Sequence, residues 1–521
     1  MPLISLERPE RAERGTTTAG APAGVGATVA ADGAGRPAHK LSAVQLMFVT
    51  YACVCGGPFG IEPVVRVMGP AVTLALLCVV PLVWSLQEAL MTAELSCALP
   101  EMGGFVVWLS RGLGESAAQQ IGYWRVVSSM FDIASYPLLM LSYLGPHSAS
   151  EDDDAAAILP LGARWAIGTL VLCAAGALNA LGVEVVGNAS AAFAAFTLAP
   201  FVALVALGAP QLSGAAIATG PPAGQGRADW GGALSVLLWN LSYFDLAGTF
   251  ASEVADAQAS FLPAMLGALA LALCAYALPL LVGVSVAPDF SLWDEGYFVD
   301  ISRGVHGGGR WLGRWLSAAG AVCAFAVLTS IISTSSRVLV ALAQLGVAPR
   351  WVGELHPTLR TPVRATVVNV ACGSALLLCG EWELVITLCM SLYMLSTAAE
   401  FVALARLRAL EPDLARPYRI AAGDRRGIWL FVAPPLLLCA VLVAVSGTST
   451  LALIAATLAA SFGVQRAHRW WAARARFATR SARLADAELE VQRGGKARAA
   501  NGAGKAEHGP EKFESSSRTK R

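Results

Sequence analysis

The chain has 521 residues, of which 56% are hydrophobic and 14% charged, with a formal net charge of +1. Soluble domains carry about 25% charged residues, so this balance excludes an ordinary soluble fold and predicts an all-α integral membrane protein. The net charge gives no reason to expect nucleic acid as a partner. The 11 cysteines lie in apolar segments without metal-ligand spacing to histidines, and read as small packing residues.

Residues 1–41 are rich in Ala, Gly, Thr and Arg and lack the apolar core of a secretory leader. They are predicted to form a disordered cytosolic tail, and residues 42–468 a membrane domain. A helix needs about 20 mostly apolar residues to cross a bilayer. About twelve such spans can be placed, at 43–66, 70–96, 117–144, 163–183, 186–208, 232–253, 261–287, 313–343, 364–380, 383–406, 428–446 and 448–468. The last two are separated by a tight hairpin at Ser446-Gly447.

Lys and Arg set the orientation. Arg350, Arg360 and Arg364 fall between spans eight and nine, and Arg406, Arg408, Arg416, Arg419, Arg425 and Arg426 between spans ten and eleven. Both loops are predicted to be cytosolic, which places both termini in the cytosol. The loop after span three reads "SASEDDD", without a base. Residues 469–521 are predicted to form a basic amphipathic helix, with Trp470 and Trp471 at the headgroups, and then a disordered cytosolic tail.

Two spans are interrupted. The first reads "YACVCGGPFGIEPVV" (51–65), with Gly56, Gly57, Pro58 and Gly60 followed by Glu62. The sixth turns polar at Asn240, Ser242, Tyr243, Asp245, Gly248, Thr249, Ser252 and Glu253. Each stands first in a set of five spans. Interruptions at matching places of two halves point to a transporter binding site, because an unwound backbone offers amides and carbonyls where bulk water is absent.

These strings, with "TAELSCALPEMGGFVVWLSRGLG" (92–114), "WRVVSSMFDIASYPLLMLSYL" (124–144) and "ISTSSRVLVALAQLGVAPRW" (332–351), resemble the amino acid–polyamine–organocation superfamily. Within it, the sequence is most similar to the polyamine:proton symporters of plants and protists, neighbours of the L-type amino acid transporters. "RPYRI" (416–420) is shared with amino acid carriers. The resemblance covers about residues 42–468. It implies a five-plus-five inverted repeat with two extra helices, helices 1 and 6 unwound, and residence in the cell membrane.

The acids bear on the substrate. An amino acid carrier holds a carboxylate at a bare helix N-terminus. Here Pro58 removes one N–H and Glu62 adds negative charge, so a cation is expected, held by carboxylates, carbonyls and aromatic faces. The candidate substrate-binding residues are Gly56, Gly57, Gly60, Glu62, Asp132, Trp239, Asn240, Tyr243, Asp245 and Glu253. Asp245 and Glu253 would stand about 12 Å apart on a regular helix. Glu253, Glu62 and Glu400 are the candidates for carrying a coupling proton.

Arg125 faces the same way as Asp132, Glu94 is expected to be structural, and Ser333–Ser336 give span eight a polar face. The expected activity is import of putrescine and spermidine by proton symport and alternating access, with the proton gradient in place of any cofactor. No metal site, enzyme motif or obligate partner subunit is expected. The alternatives are an L-type-like amino acid carrier, a carrier of another organic cation, and a non-transporting nutrient sensor.

Overall fold

A computed structural model of the chain describes residues 40–144, 160–220, 230–378, 382–421, 426–445, 451–452, 454–467 and 470. The N-terminal tail to residue 39, the acidic loop after span three, the Ser446-Gly447 hairpin and the region after 470 lie outside these residues. The chain divides into two compact units, residues 1–454 and 455–521. In the second, residues 455–467 are helical.

The first unit is built of helices. Among the described residues the sole β-pairing is an isolated bridge between Leu41 and Val254. This follows from composition: without water, backbone groups must be satisfied inside the segment, and a helix does that alone. Among the described residues eight helices are long and apolar enough to cross a membrane, and Ala43–Val54 and Val363–Leu376 are shorter apolar helices.

Helix α1 (Ala43–Val54) starts with a reciprocal cap between Ser42 and Gln45. It ends where Gly56 adopts φ +61°. The chain runs without helix to α2 (Glu62–Val83), opened by Pro63, where a missing N–H costs nothing. Within α2, Gly69 is non-helical (φ 74°, ψ 163°) and Pro70 follows, so the polypeptide turns there. Trp84 separates α2 from α3 (Ser85–Ala98).

Next come α4 (Phe105–Leu113), α5 (Glu115–Leu144), α6 (Leu161–Ala180) and α7 (Val183–Gly208). Helix α8 (Trp230–Asn240) stops short of the predicted end of span six. Tyr243 takes a left-handed φ of +79°, and residues Phe244–Glu253 continue as a 3-10 helix. Then follow α9 (Ala257–Val286), α10 (Phe298–Gly304), α11 (Arg310–Gln344), α12 (Val363–Leu376), α13 (Trp382–Leu410) and α14 (Gly427–Val445). Helix α11 packs against α5 and α7, and α9 against α1 and α3. The two non-helical stretches, 55–61 and 241–243, thus come together between α5 and α11.

Candidate functional site

A cavity of about 40 Å³ lies at the two interruptions. Cys53, Val54, Cys55, Phe59 and Gly60 line it from the first, and Trp239, Asn240 and Tyr243 from the second. Helix α5 contributes Tyr136, Leu139 and Tyr143, α11 contributes Cys323, Ala324 and Val327, and the loop before α10 contributes Glu295. Among the described residues no Lys, Arg or His lines it.

Asn240 joins the two interruptions. Its Nδ2 donates to the Gly60 carbonyl at 3.0 Å, and its Oδ1 accepts from the Tyr276 hydroxyl at 2.9 Å. Gly60 has φ +89°, and a Cβ there would stand 3.1 Å from Asn240 Oδ1. A Cβ on Gly56 would reach 2.5 Å from Val327 Cγ2, and one on Gly57 2.6 Å from Thr197 Cγ2. The glycines therefore serve close packing as well as backbone freedom.

Glu62 is fully buried and does not line the cavity. Its two oxygens accept from backbone amides, Gly60 at 2.7 Å and Gly296 at 3.2 Å. The acid thus takes up N–H groups beside a helix start, a place that suits an anion, and ties the interruption to the loop before α10.

Asp245 belongs to a second, fully buried group. Arg125 donates to Asp245 Oδ2 and lies 4.4 Å from the Tyr393 ring centre and 4.8 Å from that of Phe105. The Tyr393 hydroxyl accepts from the Tyr243 amide at 2.7 Å. It also lies within hydrogen-bonding reach of Glu88 Oε1 and of Asp245 Oδ1, with one proton to donate. The Asp245 amide donates to Glu88 Oε1 at 3.1 Å. Glu400 completes the group, interacting electrostatically with Asp245, Arg125 and Glu88. Both Glu400 oxygens, Glu88 Oε2 and Arg125 Nη1 are buried without a hydrogen-bond partner.

Tyr243 stands between the two regions. It lines the larger cavity and also a space of about 10 Å³ bounded by Arg125, Ser128, Ser129, Asp132, Leu246, Ile331 and Tyr393, room for about one water. Asp132 lines this smaller space only.

The structure keeps Glu253 apart from both cavities. Arg337 binds its two oxygens and is itself held by Ser333 and by the Phe250 ring face, 4.4 Å away. The polar face of α11 is likewise engaged: Ser335 and Ser336 bond to Asn369, and Ser336 also to Thr366. Glu94 pairs with Arg408, accepts from the Ile420 amide at 2.9 Å, and lies 3.5 Å from Arg416. It thereby clamps "RPYRI" to α3, a structural role as expected. Phe244 is fully buried packing.

Of the residues expected from the sequence, the structure brings Gly60, Trp239, Asn240 and Tyr243 to one cavity, and Asp132 to its neighbour. It places Gly56, Gly57, Glu62, Asp245 and Glu253 outside both spaces. Glu88, Tyr393, Tyr136, Tyr143 and Glu295 are not among the expected residues. Glu88 carries a usable signal, an acid inside an apolar span, whereas the loop position of Glu295 gives none.

A family model described as amino acid permease matches residues 41–471. The chain is 33% identical to the polyamine transporter PUT1 of Oryza sativa subsp. japonica over 410 residues, covering 78% of this chain and 74% of the relative. It is 32% identical to the polyamine transporter RMV1 of Arabidopsis thaliana over 409 residues, covering 78% and 80%. A further Arabidopsis protein, named a probable polyamine transporter, is 31% identical over 425 residues, covering 80% and 84%. A multi-pass helical chain with its polar groups gathered at two interrupted segments, matched over most of its length, belongs to the amino acid permease family.

Proposed function

We propose that the chain imports polyamines, with putrescine and spermidine as reference substrates, by proton symport and alternating access. The observation that carries this reading is the lining of the cavity at the interruptions. Among the described residues it has four aromatic side chains with polar edges or faces (Tyr136, Tyr143, Tyr243 and Trp239), one carboxylate, and no basic residue. Such walls suit ammonium groups on an alkyl chain. They do not suit an amino acid, whose carboxylate would need the amides that Glu62 already occupies.

The names of the plant relatives support the same substrate class. At about 40 Å³ the cavity holds roughly one to three waters and must widen to admit a diamine, in keeping with a closed state of an alternating cycle. The fold we assign has twelve spans, a five-plus-five inverted repeat with two added helices, and spans one and six unwound at the site. Both termini face the cytosol and the membrane is the cell membrane. An inward potential then assists uptake by about 2.3 kcal/mol per charge per 100 mV.

Of the three candidate proton carriers, we assign the role to Glu400. Glu62 spends both oxygens on amides and Glu253 both on Arg337. Around Glu400 stand Asp245, Glu88 on α3, Arg125 on α5, Tyr393 on its own helix, and Cys439 on α14, which neighbours Glu88. Asp245, Glu88 and Glu400 share the Arg125 guanidinium at a buried site, with Asp132 also in its field, and unpaired buried charge is costly. Protons close that balance, and Glu400, which receives no hydrogen bond, is where one is held.

Uptake of radiolabelled putrescine and spermidine into transport-deficient cells, with and without a protonophore, tests the reading. Saturable uptake abolished by the protonophore supports it. Absence of uptake, or leucine transport that spermidine does not inhibit, overturns it in favour of an L-type-like carrier.

A further inference from the structure

We propose that Glu295, on the loop between α9 and α10, is the counter-charge that receives a substrate ammonium group. The inference rests on the cation reading of the cavity and adds the residue that sets its charge specificity.

Three facts single out this side chain. Glu295 is the carboxylate that lines the larger cavity; Asp245, Glu253 and Glu62 do not. Among the described residues it is paired with no base. Its polar contact is the Tyr143 hydroxyl, donating to Oε1 at 3.4 Å, whereas Asp245 and Glu253 are already paired with Arg125 and Arg337. It is also reachable. The residue is exposed, as a side chain on the wall of an opening is. A cation meets Glu295 without separating a buried ion pair. Reaching Asp245 would mean displacing Arg125, a step that strands a buried charge.

The backbone on both sides fixes this placement. Asp294 pairs with Arg66 at 2.6 Å, and the Gly296 amide donates to Glu62 at 3.2 Å. Gly296 has φ +86°, which lets the chain turn between those anchors. Glu295 is left pointing at Tyr143, with Tyr136 and Cys323 also in its field. Glu62 lies in that field as well. Two acids near one aromatic wall raise the local negative potential, and a bound ammonium relieves it.

Initial-rate uptake of putrescine and spermidine by the full-length chain, wild type against Glu295→Gln and Glu295→Asp, tests this. Loss of a charged hydrogen-bond partner predicts a KM raised about tenfold in Glu295→Gln, with surface expression and kcat within about twofold of wild type. Glu295→Asp should recover most of the loss. A structural role would instead lower expression or kcat and leave KM in place. If Glu295→Gln fails to reach the membrane, Glu295→Cys is treated with an anionic or a cationic methanethiosulfonate. Restoration by the anionic reagent alone, with putrescine slowing modification, supports the proposal. Equal effects of both reagents, or no protection, overturn it. Polyamine uptake by wild type with unchanged KM in Glu295→Gln overturns this inference alone, while absence of uptake by wild type overturns the cation reading beneath it.

Discussion

Arg337 donates to both carboxylate oxygens of Glu253, at 2.6 and 2.7 Å, with both side chains buried. The pair joins the end of the 3-10 stretch to α11. Removing one member of a buried pair strands the other and costs about 3–5 kcal/mol, whereas replacing both by apolar residues can be neutral. Glu253→Ala and Arg337→Ala should each lower the melting temperature of the purified protein sharply, and Glu253→Leu with Arg337→Met should restore most of it. If Glu253→Ala melts like wild type and loses only proton coupling, Glu253 is a proton carrier after all.

Glu400→Gln tests the proton assignment separately. A glutamine resembles a permanently protonated carboxyl, so the carrier should still bind and exchange polyamine. In proteoliposomes, counterflow of labelled putrescine should persist. Accumulation driven by an imposed pH gradient should fall to the level set by membrane potential alone. Retention of the pH-driven component would move the proton to Glu88 or elsewhere.

The sequence made the two interruptions legible because glycines, prolines and polar residues are conspicuous in apolar spans. Gly60 and Asn240 stand out within such spans, and the structure joins them directly. The roles of the acids were not legible, since a role depends on the partner and the partners are distant in sequence. Glu253 and Arg337 are 84 residues apart, and Asp245 and Arg125 are 120 apart. Glu62 looked like a ligand for a cation because its charge was visible, while the amides that absorb that charge were not. Glu295 sits in a loop with both acids and bases, and only the turn at Gly296 brings it to the cavity.

Gly60→Ala isolates the contact between the interruptions. The mutation forces φ +89° on a residue with a Cβ and sets that Cβ 3.1 Å from Asn240 Oδ1. Left-handed strain costs on the order of 1–3 kcal/mol, and the crowding adds to it. Gly114→Ala is the control, with φ +97° and nothing within 4 Å of the added atom. Gly60→Ala should reduce uptake well below Gly114→Ala at equal surface expression. Equal uptake by the two would mean that the Asn240 contact does not matter.

Glu62→Ala exposes the amides of Gly60 and Gly296. Unsatisfied buried amides cost about 1–3 kcal/mol each, and N–H groups at a helix start attract anions. The variant should be less stable, and leucine, without effect on wild-type uptake, should become a competitor. If leucine remains inert at equal expression, Glu62 is not what keeps amino acids out.

External pH separates substrate binding from proton drive. Burial pushes the Glu295 carboxyl above the usual glutamate range; its hydrogen bond from Tyr143 opposes the rise and nearby Asp294 adds to it. An ammonium group binds the carboxylate form. As pH falls through the value of the free carboxyl, binding must expel a proton, and KM for putrescine should rise toward about tenfold per pH unit. The bound cation favours ionisation, so the effect belongs to KM. Over the same range kcat should rise, because the inward proton gradient steepens. In Glu295→Gln the KM dependence should flatten from its elevated value while the rise in kcat survives. In Glu400→Gln the reverse should hold, with a sloping KM and a flat kcat. Initial rates at several substrate concentrations across the mildly acidic range measure both parameters at once. Two variants that each flatten a different parameter would place substrate charge and coupling proton on two separate carboxyls, whereas joint flattening in either one would place both on the same group.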